Sequence, residues 1–160
     1  MKKPVIIAII AVVIVVAIVG VIFINLNKEK TSITASDFYT TMSQKGYVVQ
    51  DSSSQFSKYD YVKKSYIAAS KDYSYQIEFY ELVDDSYATS FYNNNKSIFE
   101  SSKGNASAET SVGSKNYSKY TLSSNGKYMV VSRINNTVIY VDVDDSYNDT
   151  VKSLLNELGY

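Results

Sequence analysis

The sequence predicts an α+β domain attached to an N-terminal membrane anchor. Three patterns lead to this prediction: one long apolar run, several segments that alternate apolar and polar residues, and three segments with apolar residues at three- and four-residue spacing. Alternation is typical of half-buried strands, and the longer spacing is typical of helices packed on a core. We expect the element order α-β-β-β-α-β-β-β-α, with the strands in one antiparallel sheet and the helices packed against it.

The apolar run is Val5–Ile24, twenty residues without a charged or polar side chain. As a helix it would be about 30 Å long, which matches the hydrocarbon core of a bilayer. A cleaved signal peptide has an apolar region of about 7–15 residues followed by a site of small residues. The run here is longer and lacks such a site. We therefore favour an uncleaved signal anchor in residues 1–30 and a single extracytoplasmic domain in residues 31–160.

The orientation of the anchor depends on the charges at its two flanks. Lys2 and Lys3 precede the apolar run, whereas Lys28 and Lys30 follow it. The positive-inside rule is therefore nearly balanced between the two sides. The short segment before the run favours a cytoplasmic N-terminus. This predicts a single-pass protein of the cell membrane with its domain on the extracytoplasmic side.

Composition limits the partners of the domain. Of the 16 basic and 16 acidic residues, four basic and one acidic lie within residues 1–30, so the domain carries 12 basic and 15 acidic residues. Nucleic-acid binding needs a concentrated basic surface, and we do not expect it here. The chain has 16 Tyr, whose rings cover apolar surface while their hydroxyls reach water. This abundance predicts a sheet with one solvent-exposed face.

The first half of the domain predicts one helix and three strands. Thr34 or Ser36 is placed to cap the N-terminus of the helix, and Gly46 ends it. The segment Asp51–Tyr61 is expected to be a loop that includes at most one helical turn. The strands are expected at Tyr47–Gln50, Ser65–Ser70 and Tyr73–Val83, with a turn at Lys71-Asp72.

The second half begins with a helix at about Ser86–Ser102, and its residues 102–116 are small and polar, which predicts a long loop. Asn125-Gly126 is a strong signal for a type I′ hairpin turn, and Asn135-Asn136 suits the next turn. A final helix follows Asp144-Asp145-Ser146. The strands of this half are expected at Tyr117–Ser123, Lys127–Ile134 and Thr137–Val143.

Five residues recur identically between a strand and a helix: Val83–Tyr87 and Val143–Tyr147 both read Val-Asp-Asp-Ser-Tyr. One interpretation is a duplicated unit with paired acidic sites. The alternative, which we favour, is that each junction independently selects a carboxylate to cap the helix.

The residue types present exclude the commonest catalytic arrangements. The chain contains no His and no Cys, which rules out a Ser-His-Asp triad, a cysteine nucleophile and thiolate metal sites. A serine–lysine pair is allowed but has no defining motif. A hard cation held by Asp142, Asp144 and Asp145 is the remaining candidate, although this run lacks the ligand spacing of a calcium loop. We expect no cofactor and assign no catalytic residue.

The stretch Arg133–Val141, together with the acidic cap that follows it and the final Leu158-Gly159-Tyr160, resembles small single-span membrane-anchored proteins of prokaryotes. This resemblance covers roughly residues 65–160 and the style of the anchor. It implies a membrane-tethered extracytoplasmic α+β domain and supplies no active site.

These observations favour a non-enzymatic domain that is held at the bilayer through Val5–Ile24 and binds an envelope protein or polymer. One alternative is a metal-dependent module or enzyme that uses the three aspartates. The other is a pseudopilin-like structural subunit. Pilins carry a Gly before the apolar run and a Glu a few residues into it, and neither residue is present.

Overall fold

A computed structural model describes residues 29–160. The expected anchor, Val5–Ile24, lies outside these residues. Between Glu29 and Tyr160, no helix has the length and apolar character needed to cross a bilayer. This part of the chain is an α+β domain with a seven-stranded antiparallel sheet, so the expected fold class is confirmed for the domain.

The domain has three α-helices, seven strands and two short 3-10 helices in residues 29–160. The helices are α1 (Ala35–Gln44), α2 (Asp85–Ser101) and α3 (Asn148–Glu157). The strands are β1 (Val48–Asp51), β2 (Val62–Ala69), β3 (Gln76–Leu82), β4 (Ser107–Gly113), β5 (Tyr117–Ser124), β6 (Lys127–Ile134) and β7 (Thr137–Asp144). The 3-10 helices are Ser53–Phe56 and Asp145–Tyr147.

The sheet has the strand order β1-β2-β3-β7-β6-β5-β4, and all neighbouring strands are antiparallel. Strand β7 is the last strand of residues 29–160 but lies in the interior of the sheet. It pairs with β3 through Phe79 opposite Ile139, and with β6 through Val130 opposite Val141. Strands β1 and β4 form the two edges.

Helices cover both faces of the sheet, which makes three layers. On one face, α1 and α3 pack their apolar side chains on the sheet, and the rings of Phe38 and Phe79 stack at 4.9 Å. On the other face, α2 packs Ala88, Tyr92 and Phe99 against the strands. The expectation of one solvent-exposed face was therefore wrong. Many tyrosines instead bury their rings and bring the hydroxyl to a polar group, as when the Tyr120 hydroxyl donates to Glu109 Oε2 at 2.9 Å.

The expected loop at residues 102–116 contains a strand, β4, so the predicted element order omits one strand. Seven residues of β4 pair with β5, from Ser107 opposite Ser124 to Gly113 opposite Ser118. Nearly all of β4 is exposed. Because no helix of residues 29–160 covers this edge, β4 needs no apolar face, and its composition therefore gives no strand signal.

The turns and caps follow the sequence signals closely. Asn125 and Gly126 both have positive φ, at 54° and 75°, as a type I′ turn requires. Asn135 also has a positive φ of 49°, whereas Asn136 does not. Thr34 caps α1, because its Oγ1 accepts from the Asp37 N–H at 3.1 Å and Asp37 Oδ2 accepts from the Thr34 N–H at 3.0 Å.

Candidate functional site

A groove of about 310 Å³ lies on the α1/α3 face, between α3 and the edge of the sheet formed by β4 and β5. We call it the lysine groove. Alternation along β5 directs Lys119 and Thr121 to the same face as Tyr117, while α3 presents Lys152 and Asn156, one helical turn apart. The groove is lined by Thr110, Val112, Lys119, Thr121, Tyr128, Lys152 and Asn156.

Three ammonium groups lie in and beside this groove. The half-buried Lys119 donates from Nζ to the main-chain oxygen of Tyr160 at 3.2 Å. The Nζ of Lys152 lies 5.5 Å from the centroid of the Tyr128 ring. Lys30 Nζ lies 3.9 Å from the centroid of the Tyr117 ring and donates to the Gly159 oxygen at 2.9 Å. These contacts join the three side chains to main-chain oxygens and aromatic rings, and none of them is with an Asp or Glu side chain.

The electrostatics of Lys119 reflect its surroundings. Burial lowers its pKa below the ordinary value of 10.5, and the positive charges of Lys30 and Lys152 lower it further. Burial also lowers the pKa of Lys30. In the part of the chain that the structure describes, no Asp or Glu pairs with any of the three lysines, since the ion pairs there use other lysines.

Such a groove is suited to binding an anion. Ammonium groups form charge-assisted hydrogen bonds to carboxylate or phosphate oxygens, and Thr121 and Asn156 add a hydroxyl and an amide. An anion bound here would also relieve the repulsion among the three lysines.

Comparisons of this chain with protein-family models, with curated proteins and with solved structures give no match.

One serine and one lysine lie opposite each other on neighbouring strands in this region. Ser132 of β6 pairs directly opposite Lys119 of β5. Its side chain is fully buried, and its Oγ makes no hydrogen bond to the Lys119 ammonium. A nucleophile must reach both its base and the substrate. Ser132 meets neither requirement in this geometry.

Each of the three candidate aspartates contacts a different partner. Asp142 Oδ1 lies 3.7 Å from Lys127 Nζ, Asp144 Oδ1 accepts from the Ser146 N–H at 2.9 Å, and Asp145 Oδ1 accepts from Asn148 Nδ2 at 3.4 Å. The hydrogen bonds from Ser146 lower the pKa of Asp144. Within residues 29–160, no set of three acidic side chains is placed to hold a metal ion.

Asp142 lines a pocket. This pocket of about 170 Å³ lies on the α2 face, near the C-terminal end of that helix, and is mostly apolar. Lys127, the ion-pair partner of Asp142, lines it as well. The carboxylate there is therefore matched by a cation of the domain itself.

The repeated Val-Asp-Asp-Ser-Tyr segments have the same local hydrogen bond. Asp84 Oδ1 accepts from the Ser86 N–H at 2.8 Å, as Asp144 Oδ1 does from Ser146. The first bond begins α2, and the second begins the 3-10 helix that leads into α3. Helix capping thus explains the acidic pair at each junction without a binding site.

The lysine groove was missed by sequence reasoning because its lysines are far apart in the chain. Only the pairing of β5 with its neighbours and the return of α3 bring Lys119 and Lys152 to one groove. A weak signal did exist. In the alternating segment Tyr117–Leu122, a charged residue occupies position 119 on the same face as Tyr117, where a buried side chain is the usual choice.

Proposed function

We propose that the protein is a single-span membrane protein whose extracytoplasmic domain is a non-enzymatic binding module for an anionic partner. The observation that carries this proposal is the group of three ammonium charges around the lysine groove, which no acidic side chain of residues 29–160 neutralises. The partner would place a carboxylate or phosphate between Lys119 and Lys152.

The charge distribution of the domain supports this proposal. The domain as a whole has more acidic than basic residues, so a cluster of three lysines is a local feature and not a consequence of composition. Gathering like charges on partly buried side chains is unfavourable. This arrangement disfavours the empty groove and favours a groove occupied by an anion.

The proposed anchor is supported by the length of Val5–Ile24 and determines where the partner is met. A domain held at the membrane meets the other components of the envelope, whether these are proteins with acidic segments or anionic polymers. Thr110 and Val112 of the edge strand β4 line the groove, and its volume of about 310 Å³ suits one charged side chain or one repeating unit of a longer molecule. The ammonium group of lysine is a compact point charge that can bind either a carboxylate or a phosphate group.

The experiment is calorimetric titration of the 29–160 fragment with polyglutamate and, separately, with polyphosphate. The double variant Lys119→Met plus Lys152→Met is expected to weaken binding at least tenfold. The matched control, Lys58→Met plus Lys71→Met, removes two exposed lysines that lie outside the groove and is expected to bind like the wild type. Equal weakening by both double variants, or no heat with either polymer, would contradict the proposal.

A further inference from the structure

One end of the sheet holds the first residues of the described chain. The Lys30 N–H donates to Asn116 Oδ1 at 3.0 Å, and Asn116 Nδ2 donates to the Lys30 oxygen at 2.7 Å. Asn135 Nδ2 lies 3.5 Å from Ser32 Oγ. Asn116 belongs to the β4–β5 turn and Asn135 to the β6–β7 turn. We call this end of the sheet the Asn116 end.

The Asn116 end also carries a group of three neighbouring tyrosines, two of them exposed and one partly buried. Strand β2 begins there and β3 ends there, because Val62 pairs with Leu82 and β3 pairs with the start of β7. The ring centroids of Tyr59 and Tyr61 are 5.5 Å apart, and Tyr61 and Tyr87 stack at 5.2 Å with an interplanar angle of 10°. We call Tyr59, Tyr61 and Tyr87 the tyrosine cluster.

The cluster presents apolar surface to solvent. Tyr59 is 49% exposed and Tyr87 is 46% exposed. Val83, which is also exposed, lies beside them, since its N–H donates to the Tyr61 oxygen at 3.0 Å. Large apolar residues that are exposed and adjacent to one another mark a contact surface more often than scattered ones do.

The charged residues next to the cluster are net negative, with one positive side chain against three negative ones. Lys58 is positive, whereas Asp60, Asp84 and Asp85 are negative, and Asp84 uses its carboxylate to cap α2. A surface of this kind has no general attraction for anionic headgroups. Its affinity for a membrane would come from the aromatic rings. Tyrosine is enriched at the membrane–water interface because its ring is apolar and its hydroxyl forms hydrogen bonds with water.

The number of residues between the proposed span and Lys30 limits how far the Asn116 end can lie from the membrane. This step rests on the proposed function, in which Val5–Ile24 spans the bilayer. Five residues, 25–29, then separate the span from Lys30. At no more than about 3.6 Å per residue, Lys30 lies within about 20 Å of the hydrocarbon core. The Asn116 end is therefore the end of the domain that faces the membrane.

We infer that the tyrosine cluster docks into the headgroup region of the membrane and holds the domain with the Asn116 end toward the lipid. The occupant of this exposed apolar surface is thus the bilayer itself. The opposite end, which carries the β2–β3 turn with Tyr73 and the Asn125-Gly126 turn, points away from the membrane.

The test uses tryptophan as a depth reporter, because the chain contains none. The full chain with Tyr59→Trp is reconstituted into phosphatidylcholine vesicles, with and without lipid brominated near the headgroup end of the acyl chains. We expect a blue-shifted emission and at least twofold quenching by the brominated lipid. Tyr87→Trp serves as a second reporter in case the first variant folds poorly.

The matched control is Tyr73→Trp, which places the same reporter at an exposed tyrosine, 70% accessible, of the opposite end. Its emission is expected to be unchanged by brominated lipid. Equal quenching at positions 59 and 73, or no quenching at positions 59 and 87, would overturn the docking while leaving the anchor in place. Failure of the protein to float with the vesicles would overturn the anchor, and the docking with it.

Discussion

Lys30 and Asn116 are joined by two hydrogen bonds, although 86 positions separate them in the chain. The side-chain amide of Asn116 accepts from the Lys30 N–H and donates to the Lys30 oxygen, as a neighbouring strand would. The same amide also donates to Asn135 Oδ1 at 2.9 Å. One asparagine therefore ties the first described residues to two turns of the sheet.

Replacing Asn116 with alanine removes these hydrogen bonds. We expect the free energy of unfolding of the 29–160 fragment to fall by about 1.5–4.5 kcal/mol, since three bonds are lost and each contributes about 0.5–1.5 kcal/mol. Urea denaturation measures this as a lower midpoint with an unchanged slope. Asn105→Ala, at an exposed position in the loop before β4, is the control and should have no effect. A midpoint equal to that of the control would show that Asn116 does not hold the segment.

Anion binding in the lysine groove is expected to weaken at alkaline pH. Lys119 must be charged to bind, and its pKa is lowered by burial and by the charges of Lys30 and Lys152. Affinity for polyglutamate should therefore decline at a pH below 10.5. Lys152→Met removes one of these charges, so the decline should move to higher pH even though the affinity at neutral pH is weaker.

Without a bound anion, the pH dependence of the free energy of unfolding that arises from Lys119 has the opposite sign to the pH dependence of affinity. Because folding lowers the pKa of Lys119, the unfolded chain holds this proton more tightly, so the contribution of Lys119 to the free energy of unfolding should rise as the pH increases toward 10.5. Tyrosines such as Tyr128 and Tyr140, whose pKa is raised by burial, contribute the opposite sign, so the Lys119 contribution is measured as the difference between the wild type and Lys119→Met. Lys71→Met provides the control for both measurements. An alkaline profile that Lys152→Met leaves unmoved would contradict the coupling between the two lysines.

Acidification is expected to destabilise the β2–β3 turn through Asp72. Its carboxylate accepts from Ser70 Oγ and Ser74 Oγ, each at 2.7 Å, and these bonds lower its pKa to about 2. A carboxylate with a lowered pKa contributes stability above its ordinary pKa of 3.8, and this contribution disappears as the pH falls toward 2.

Asp72→Asn should therefore reduce the loss of stability between about pH 4 and pH 2, as measured by urea midpoints at several pH values. Part of the loss will persist, because Asp51 also has its pKa lowered to about 2, chiefly by Lys64. Asp60→Asn is the matched control. The prediction fails if both variants have the same acid dependence.

The two acidic residues at the start of α2 should differ in their effect. Asp84 accepts hydrogen bonds from the N–H groups of Ser86 and Tyr87. Asp84→Ala is therefore expected to lower the free energy of unfolding by about 1 kcal/mol. Asp85 acts only through its charge near the helix N-terminus, which is worth about 0.3–1 kcal/mol. Urea denaturation of the two alanine variants measures the difference. Equal costs would indicate that the Asp84 cap contributes little.

The sequence could predict those parts of the fold that carry their own local signal. Strand β6 was expected at Lys127–Ile134 and is found there, because the Asn125-Gly126 turn marks its start and most of its residues are apolar. Strand β4 was missed because it is exposed on both sides. The lysine groove was missed for a different reason, since Lys119 and Lys152 become neighbours only when β5 and α3 are packed.

The position of β7 has a consequence for how the protein is made. The strands synthesised before Thr137 can form only two separate sheets, β1–β3 and β4–β6, and each would expose an unpaired inner strand. Such open edges pair readily with other chains. We therefore expect a nascent chain to remain prone to aggregation until β7 has emerged, and we expect slow folding because the pairing that completes the sheet joins distant residues.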